Sequence, residues 1–179
     1  MGEQRVRLRP VTETDLLDYV KWLNDAEVTA FTLREFPGLT LEAEREWFAR
    51  KTAPDSQDRP FAIEVDGLLI GQCQLHVEES GQTAFYGIVI GDKTAWGRGY
   101  GTAATREAVR IGFEEMGLQR IWLNVGSHNP RGIRCYEKVG FRREGVMRRA
   151  RLKRGKWCDV VCMGILREEW EAHREPQPG

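Results

Sequence analysis

Ile88-Val-Ile-Gly-Asp-Lys-Thr-Ala-Trp-Gly-Arg-Gly-Tyr-Gly-Thr102 runs from an apolar strand, through a glycine-rich turn, into a helix. Gly97, Gly99 and Gly101 alternate, so several amides can turn inward with no Cβ in the way. They sit where a helix dipole presents positive charge, a suitable seat for a pyrophosphate. Arg98 adds a charge-assisted contact to a phosphate. No Gly-Lys-Ser/Thr follows, which excludes a Walker loop, and G-x-G-x-G is not the dinucleotide fingerprint G-x-G-x-x-G. Taken alone, the stretch predicts either a phosphate seat or a tight turn without a ligand.

The second informative stretch is Asn129-Pro-Arg-Gly-Ile-Arg-Cys-Tyr-Glu-Lys-Val-Gly-Phe141. Pro130 in a first turn and Gly140 past the end predict a short helix over Pro130 to Lys138. Asn129 then sits at the mouth of a strand ending at Val125, and Tyr136 one turn from the helix end. A mid-helix tyrosine by itself reads more often as core than as catalytic.

Working outward, Val6 and Leu8 alternate with arginines over Arg5 to Arg9, a strand pattern. Thr12 caps an amphipathic helix over Glu13 to Asn24, and Thr40 caps another over Leu41 to Lys51. Between them Asp25 to Leu39 is irregular and aromatic, and either covers a site or packs on the core. Phe61 to Val65 and Leu68 to Val77 form a hairpin about Asp66-Gly67, and Ala84 to Ile90 is the next strand. Thr102 to Met116 is helical and ends at Gly117. Strands over Arg120 to Val125, Phe141 to Leu152 and Lys156 to Leu166 complete the chain, and Glu175 to Gly179 reads as a disordered tail. The expectation is one α/β domain over residues 1–174, with a mixed, mostly antiparallel twisted sheet flanked by helices.

Composition narrows the function. Lys plus Arg (27) cancels Asp plus Glu (27), so no global basic field recruits nucleic acid or an anionic membrane. No apolar run reaches the roughly 18 residues of a membrane span, and the cytoplasm is the expected location. Four cysteines without a C-x-x-C pair and three histidines without ligand spacing predict no metal site.

Together the two stretches resemble the coenzyme-A-binding motifs of the GNAT superfamily of N-acetyltransferases. The first is similar to its Q/R-x-x-G-x-G/A turn at Trp96 to Gly101, and the second to its N-x-x-A/S-x-x-x-Y-x-x-x-G-F segment, with Gly132 at the small position. Trp96 stands where that pattern has Gln or Arg, so backbone amides are expected to carry the phosphate contacts. Within the superfamily, Arg7 to Leu16, Arg142 to Gly145 and Asp159 to Arg167 look closest to the ribosomal-protein alanine and spermidine N-acetyltransferases.

That resemblance implies an enzyme moving an acetyl group from acetyl-CoA to a primary amine, on a protein N-terminus or a small molecule, by direct attack. It implies Tyr136 as general acid. Val89, Ile90 and Gly91 would lie along the pantetheine arm, and Gly97, Arg98, Gly99, Tyr100, Gly101 and Thr102 would form the phosphate cradle. Asn129 and Gly132 would help hold the cofactor. The strand from Arg120 would splay from the one ending at Ile90. Glu35, Glu78 and Glu79 are the nearest carboxylates, none assignable as the base. The basic run Met147 to Lys156 either selects an acceptor with negative charge or is a solvated edge. Against the enzyme stand a non-catalytic acetyl-CoA-binding regulatory module and, third, nucleic-acid binding by the basic run. The sequence leaves room for a homodimer.

Overall fold

Arg9 organises the start of the fold. It lies on β1 (Val6–Pro10) and makes two 2.7 Å hydrogen bonds to Asp15 and one of equal length to Glu64 on β2 (Asp58–Val65). The Thr12 amide also donates to Asp15, at 2.8 Å. These bonds tighten Glu13–Asp15 into a 3-10 turn, so the helix expected from Glu13 becomes that turn followed by α1 (Leu16–Leu23). The computed structural model describes residues 6–174. Arg5 and the expected tail at 175–179 lie outside the described residues.

α2 (Leu41–Lys51) starts where Thr40 predicts, with the threonine hydroxyl accepting from the Ala43 amide at 3.2 Å. β2 begins three residues before the expected Phe61, because Asp58 and Arg59 already pair with His76 and Leu75 of β3 (Leu68–Val77). β4 (Thr83–Ile90) completes an antiparallel meander. The following helix is α only over Tyr100–Arg110 (α3), and Ile111–Glu115 is a π turn. Gly112 occupies that turn because a Cβ there would stand 2.7 Å from Ile121 Cδ1. β5 (Arg120–Gly126), α4 (Pro130–Val139), β6 (Arg142–Lys153) and β7 (Lys156–Leu166) follow as the sequence predicts. α5 (Arg167–Arg174) was not expected; Trp170, 5.4 Å from the Phe113 ring, anchors it together with Arg167, which donates to Leu118 O at 2.9 Å, and Glu169, paired with Arg142 at 2.7 Å.

The described strands form one seven-stranded sheet in the order β1-β2-β3-β4-β5-β7-β6, with β4 and β5 parallel and every other pair antiparallel. A single α/β domain with a mixed, mostly antiparallel sheet is the observed architecture. The larger apolar core packs α3 and α4 on one face, through Leu75, Tyr86, Val109, Ile121 and Leu123. A smaller core under α1 and α2 covers the other face through Leu16, Tyr19 and Trp22. Among the described residues no helix is long and apolar enough to cross a membrane.

Candidate active site

β4 and β5 pair only at Thr83↔Arg120, Ala84↔Ile121 and Phe85↔Trp122, and beyond these the two strands separate. Glu78 N donates to Thr83 O at one end of β4, and Gly91 N donates to Ile70 O at the other. Antiparallel pairing alternates, so Thr83, Phe85, Gly87, Val89 and Gly91 turn their backbone groups to β3. Ile88 and Ile90 turn theirs into the opening. The Ile90 carbonyl is taken by the Trp96 indole N–H at 2.9 Å, which leaves its amide and both Ile88 groups along the slot. The expected splay is present, with Ile90 on it. Val89 contributes its side chain, not its amide. Gly91 stands apart: its amide is used by β3, and a Cβ on it would overlap the Trp22 ring.

The slot opens into a cavity of about 880 Å³ that reaches the first turn of α3. Gly97 and Gly99 have φ of 77° and 84°, conformations that glycine adopts without penalty. Gly99 caps α3 and brings no side chain to its own first turn. Gly97, Gly99, Tyr100, Gly101 and Thr102 all line the cavity. Arg98 is exposed and does not. Arg131, Arg134 and Lys138 on α4 supply the positive charge there instead, and Arg131 lies 5.9 Å over the Trp96 ring. Trp96 thus clamps the turn to β4 rather than offering a polar contact to a ligand.

Asn129 is the N-cap of α4, its Oδ1 accepting from Gly132 N at 2.9 Å. A Cβ on Gly132 would lie 2.7 Å from Asn129 Nδ2, which is why the position is small. At the other end Gly140 and Phe141 both donate their amides to the Tyr136 carbonyl, and the Phe141 ring meets Tyr136 edge-on at 5.9 Å. Cap and stop fix one helix whose last turn aims Tyr136 into the cavity. Burial, with a smaller push from Cys135, raises the phenol above its ordinary value and keeps it protonated.

The opposite half of the cavity lies under the segment joining α1 to α2, which contains a 3-10 turn at Val28–Phe31. Lys153, at the tip of the β6–β7 hairpin, donates to the carbonyls of Thr29, Ala30 and Thr32. Arg154 donates to Ala26 O at 2.9 Å and, through its backbone, to Glu35 at 3.1 Å. Phe31 stacks on His128 at 6.3 Å. The segment therefore covers the site, held from both sides. No residue of the basic run Met147 to Lys156 lines the cavity, so its charge does not face an acceptor there.

None of the three carboxylates named from sequence lines the cavity either. Glu35 is bound to Arg154, and Glu78 accepts from Trp122 Nε1 at 3.0 Å and from the Thr83 hydroxyl. Glu79 is exposed. Glu44 of α2 does line it, only 4% exposed, and burial raises its carboxyl above the usual range against a smaller lowering by Arg34. Gln74 and Asn124 also line it, and their side-chain carbonyl oxygens are buried with no partner in the protein. Among the described residues no cluster of His, Cys, Asp or Glu could hold a metal ion. Ile88, Glu44, Gln74 and Asn124 escaped the sequence reading, whereas the i, i+3, i+7 spacing of Arg131, Arg134 and Lys138 was a usable signal.

Comparison with known proteins bears on this geometry. A family model described as "Acetyltransferase (GNAT) domain" matches residues 5–142. The chain is 29% identical over 174 residues to spermidine N(1)-acetyltransferase of Escherichia coli K12, covering 96% of this chain and 91% of that protein. It is 29% identical over 153 residues to aminoglycoside N(6')-acetyltransferase type 1 of Klebsiella pneumoniae, covering 79% and 76%. The fold superposes on spermidine N-acetyltransferase from Vibrio cholerae, solved with CoA and spermine, with a TM-score of 0.85. That match is 25% identical and covers 93% of this chain and 98% of the other.

Proposed function

The chain belongs to the acetyltransferase (GNAT) domain family, and from that premise we propose that the cavity positions acetyl-CoA and a primary amine for direct transfer, with Tyr136 as the acid. One observation carries the reading: the Ile88 backbone groups and the Ile90 amide, left along the slot, line one cavity with the glycine turn of α3 and Tyr136. This arrangement fits the cosubstrate. An extended amide-bearing arm matches a strand edge, and a pyrophosphate matches a helix start capped by glycine.

Gly97, Gly99, Gly101 and Thr102 would cradle the pyrophosphate, with Arg131 and Arg134 replacing Arg98 as its counter-charges. The bound thioester supplies an activated acetyl carbon. The Ile88 or Ile90 amide would polarise its carbonyl oxygen. The amine nitrogen bonds to that carbon as the carbon–sulfur bond breaks, and the Tyr136 phenol gives its proton to the departing sulfur. Glu44, the carboxyl lining the cavity, takes the proton that the amine sheds, directly or through water. The acceptor is an amine on a small molecule or on a peptide N-terminus.

The test is thiol release from acetyl-CoA across a panel of amines, run beside calorimetry of coenzyme A binding. Turnover with at least one primary amine is expected. Tight binding without turnover on every amine would favour a regulatory module instead.

A further inference from the structure

The row Gln74, Gly87, Asn124 crosses three strands on the face of the sheet that carries α1 and α2. Gln74 pairs with Gly87 in the β3–β4 register, and Gly87 draws level with Asn124 two residues past Phe85↔Trp122. Side chains alternate, so Gln74 and Asn124 share the face of Phe85 and Trp122, whose rings meet 4.9 Å apart. A Cβ on Gly87 would meet nothing within 4 Å. The floor between the two amides is bare, and it opens beside the slot at Ile88. Gln74 Oε1 and Asn124 Oδ1 are buried there without a donor, a costly state unless a ligand brings one.

Charge limits what that ligand is. Glu44 is the single carboxylate lining the cavity among the described residues. In the proposed binding mode the cations of α4 are taken up by the cofactor's phosphates, which leaves Arg34 and Arg50 of the lining against Glu44 alone. A polycation would find no surplus of acid. Most of the remaining wall, from Leu23, Val28, Phe31, Phe36 and Trp47, is apolar, with Thr32 and Gln72 as polar members.

We infer that the acceptor is a primary monoamine on an apolar body, its nitrogen held between Gln74 Oε1 and Asn124 Oδ1, and that polyamines are poor ligands. This rests on the acetyl-transfer reading for its site but departs from the named substrate of the spermidine relatives. Two carbonyl acceptors take two N–H groups of the amine, and the apolar wall takes the body.

Titrating 2-phenylethylamine and spermidine into the full chain saturated with coenzyme A tests it. At about 0.15 M salt, phenylethylamine should bind roughly tenfold more tightly than spermidine, because only its ring is buried on the apolar wall. Gln74→Leu and Asn124→Leu should each weaken phenylethylamine about tenfold and leave coenzyme A affinity within about twofold. Asn124→Asp keeps an acceptor oxygen and should hold the amine nearly as well as the parent. Spermidine binding as tightly, no amine binding at all, or Leu variants that bind normally would overturn the inference, as would parallel loss of coenzyme A. Amine binding without thiol release would support it and count instead against acetyl transfer.

Discussion

Tyr136, half-buried, and Glu44, buried, are two acids proposed for opposite uses. Burial holds the Tyr136 phenol protonated, so it is ready to donate across the neutral range and does not limit activity until well above pH 10. Tyr136→Phe should cut kcat by about 10²–10⁴-fold, the usual worth of a positioned acid. Coenzyme A affinity measured by calorimetry should barely change. For Glu44 the folded carboxyl is raised, so its ionised form is the one the fold disfavours. Stability is then fully present below the unfolded value near 4.3 and declines as pH rises through the raised folded value. Glu44→Gln should therefore raise the thermal midpoint at pH 7 and leave it nearly unchanged at pH 4, and should slow turnover at pH 7 but not at pH 4, where the carboxyl is already protonated. A loss of midpoint at pH 7 would mean that the carboxylate has a partner in the fold.

At the scale of elements, the segment joining α1 to α2 depends on a lysine from a distant hairpin. Lys153 satisfies three carbonyls in and beyond the 3-10 turn, and its removal strands them. Lys153→Met should destabilise by about 1–3 kcal/mol. It should also raise the KM for the acceptor more than that for acetyl-CoA, because the segment covers the acceptor half. On α4, Arg131→Ala and Arg134→Ala should each raise the acetyl-CoA KM about fivefold at low salt, with the difference shrinking as salt is added. Arg98→Ala should leave it unchanged. These elements also show what was legible in the chain itself. The glycine turn and the Asn129 to Phe141 run are local codes in which cap, small residue and stop lie within one helix length, so spacing exposed the turn and the helix, and the resemblance to the GNAT motifs supplied their expected roles. Gln74 and Asn124 are ordinary polar strand residues, and their burial exists only once β3, β4 and β5 are side by side. Glu44 sits in a helix with acids on several faces, and which of them is buried depends on where α2 lands. The basic run could not be resolved from the chain for the same reason: Lys153 and Arg154 spend their charge on carbonyls more than a hundred residues away, while the rest of β6 is largely exposed.

For the whole molecule, the sheet is two parts joined at one weak seam. β1 to β4 and β5 to β7 share only the three pairs at the closed end of the splay, and α3 with its apolar core spans the join. The Arg9, Asp15, Glu64 clamp belongs to the first part alone. Burial would by itself raise Asp15, but hydrogen bonds from Arg9 and Thr12 overturn that and hold it below the usual carboxylate range. Its stabilisation is thus present above the unfolded value near 3.9 and is lost as pH falls through the depressed folded value. Asp15→Asn, which leaves Arg9 half-paired, should cost about 3 kcal/mol at pH 7 and little near pH 2. In the proposed binding mode coenzyme A acts on the seam instead, since the groups proposed to hold it come from β4 and α3 on one side and α4 on the other. At about 100 times its Kd it should add roughly 2.7 kcal/mol, a rise of about 5–10 °C for a chain of this size. If the ligand bridges the two parts, the gain in hydrogen-exchange protection should extend through β4 and β5 as well as the glycine turn. Protection confined to residues 97–102 would mean that the ligand grips the turn without closing the seam.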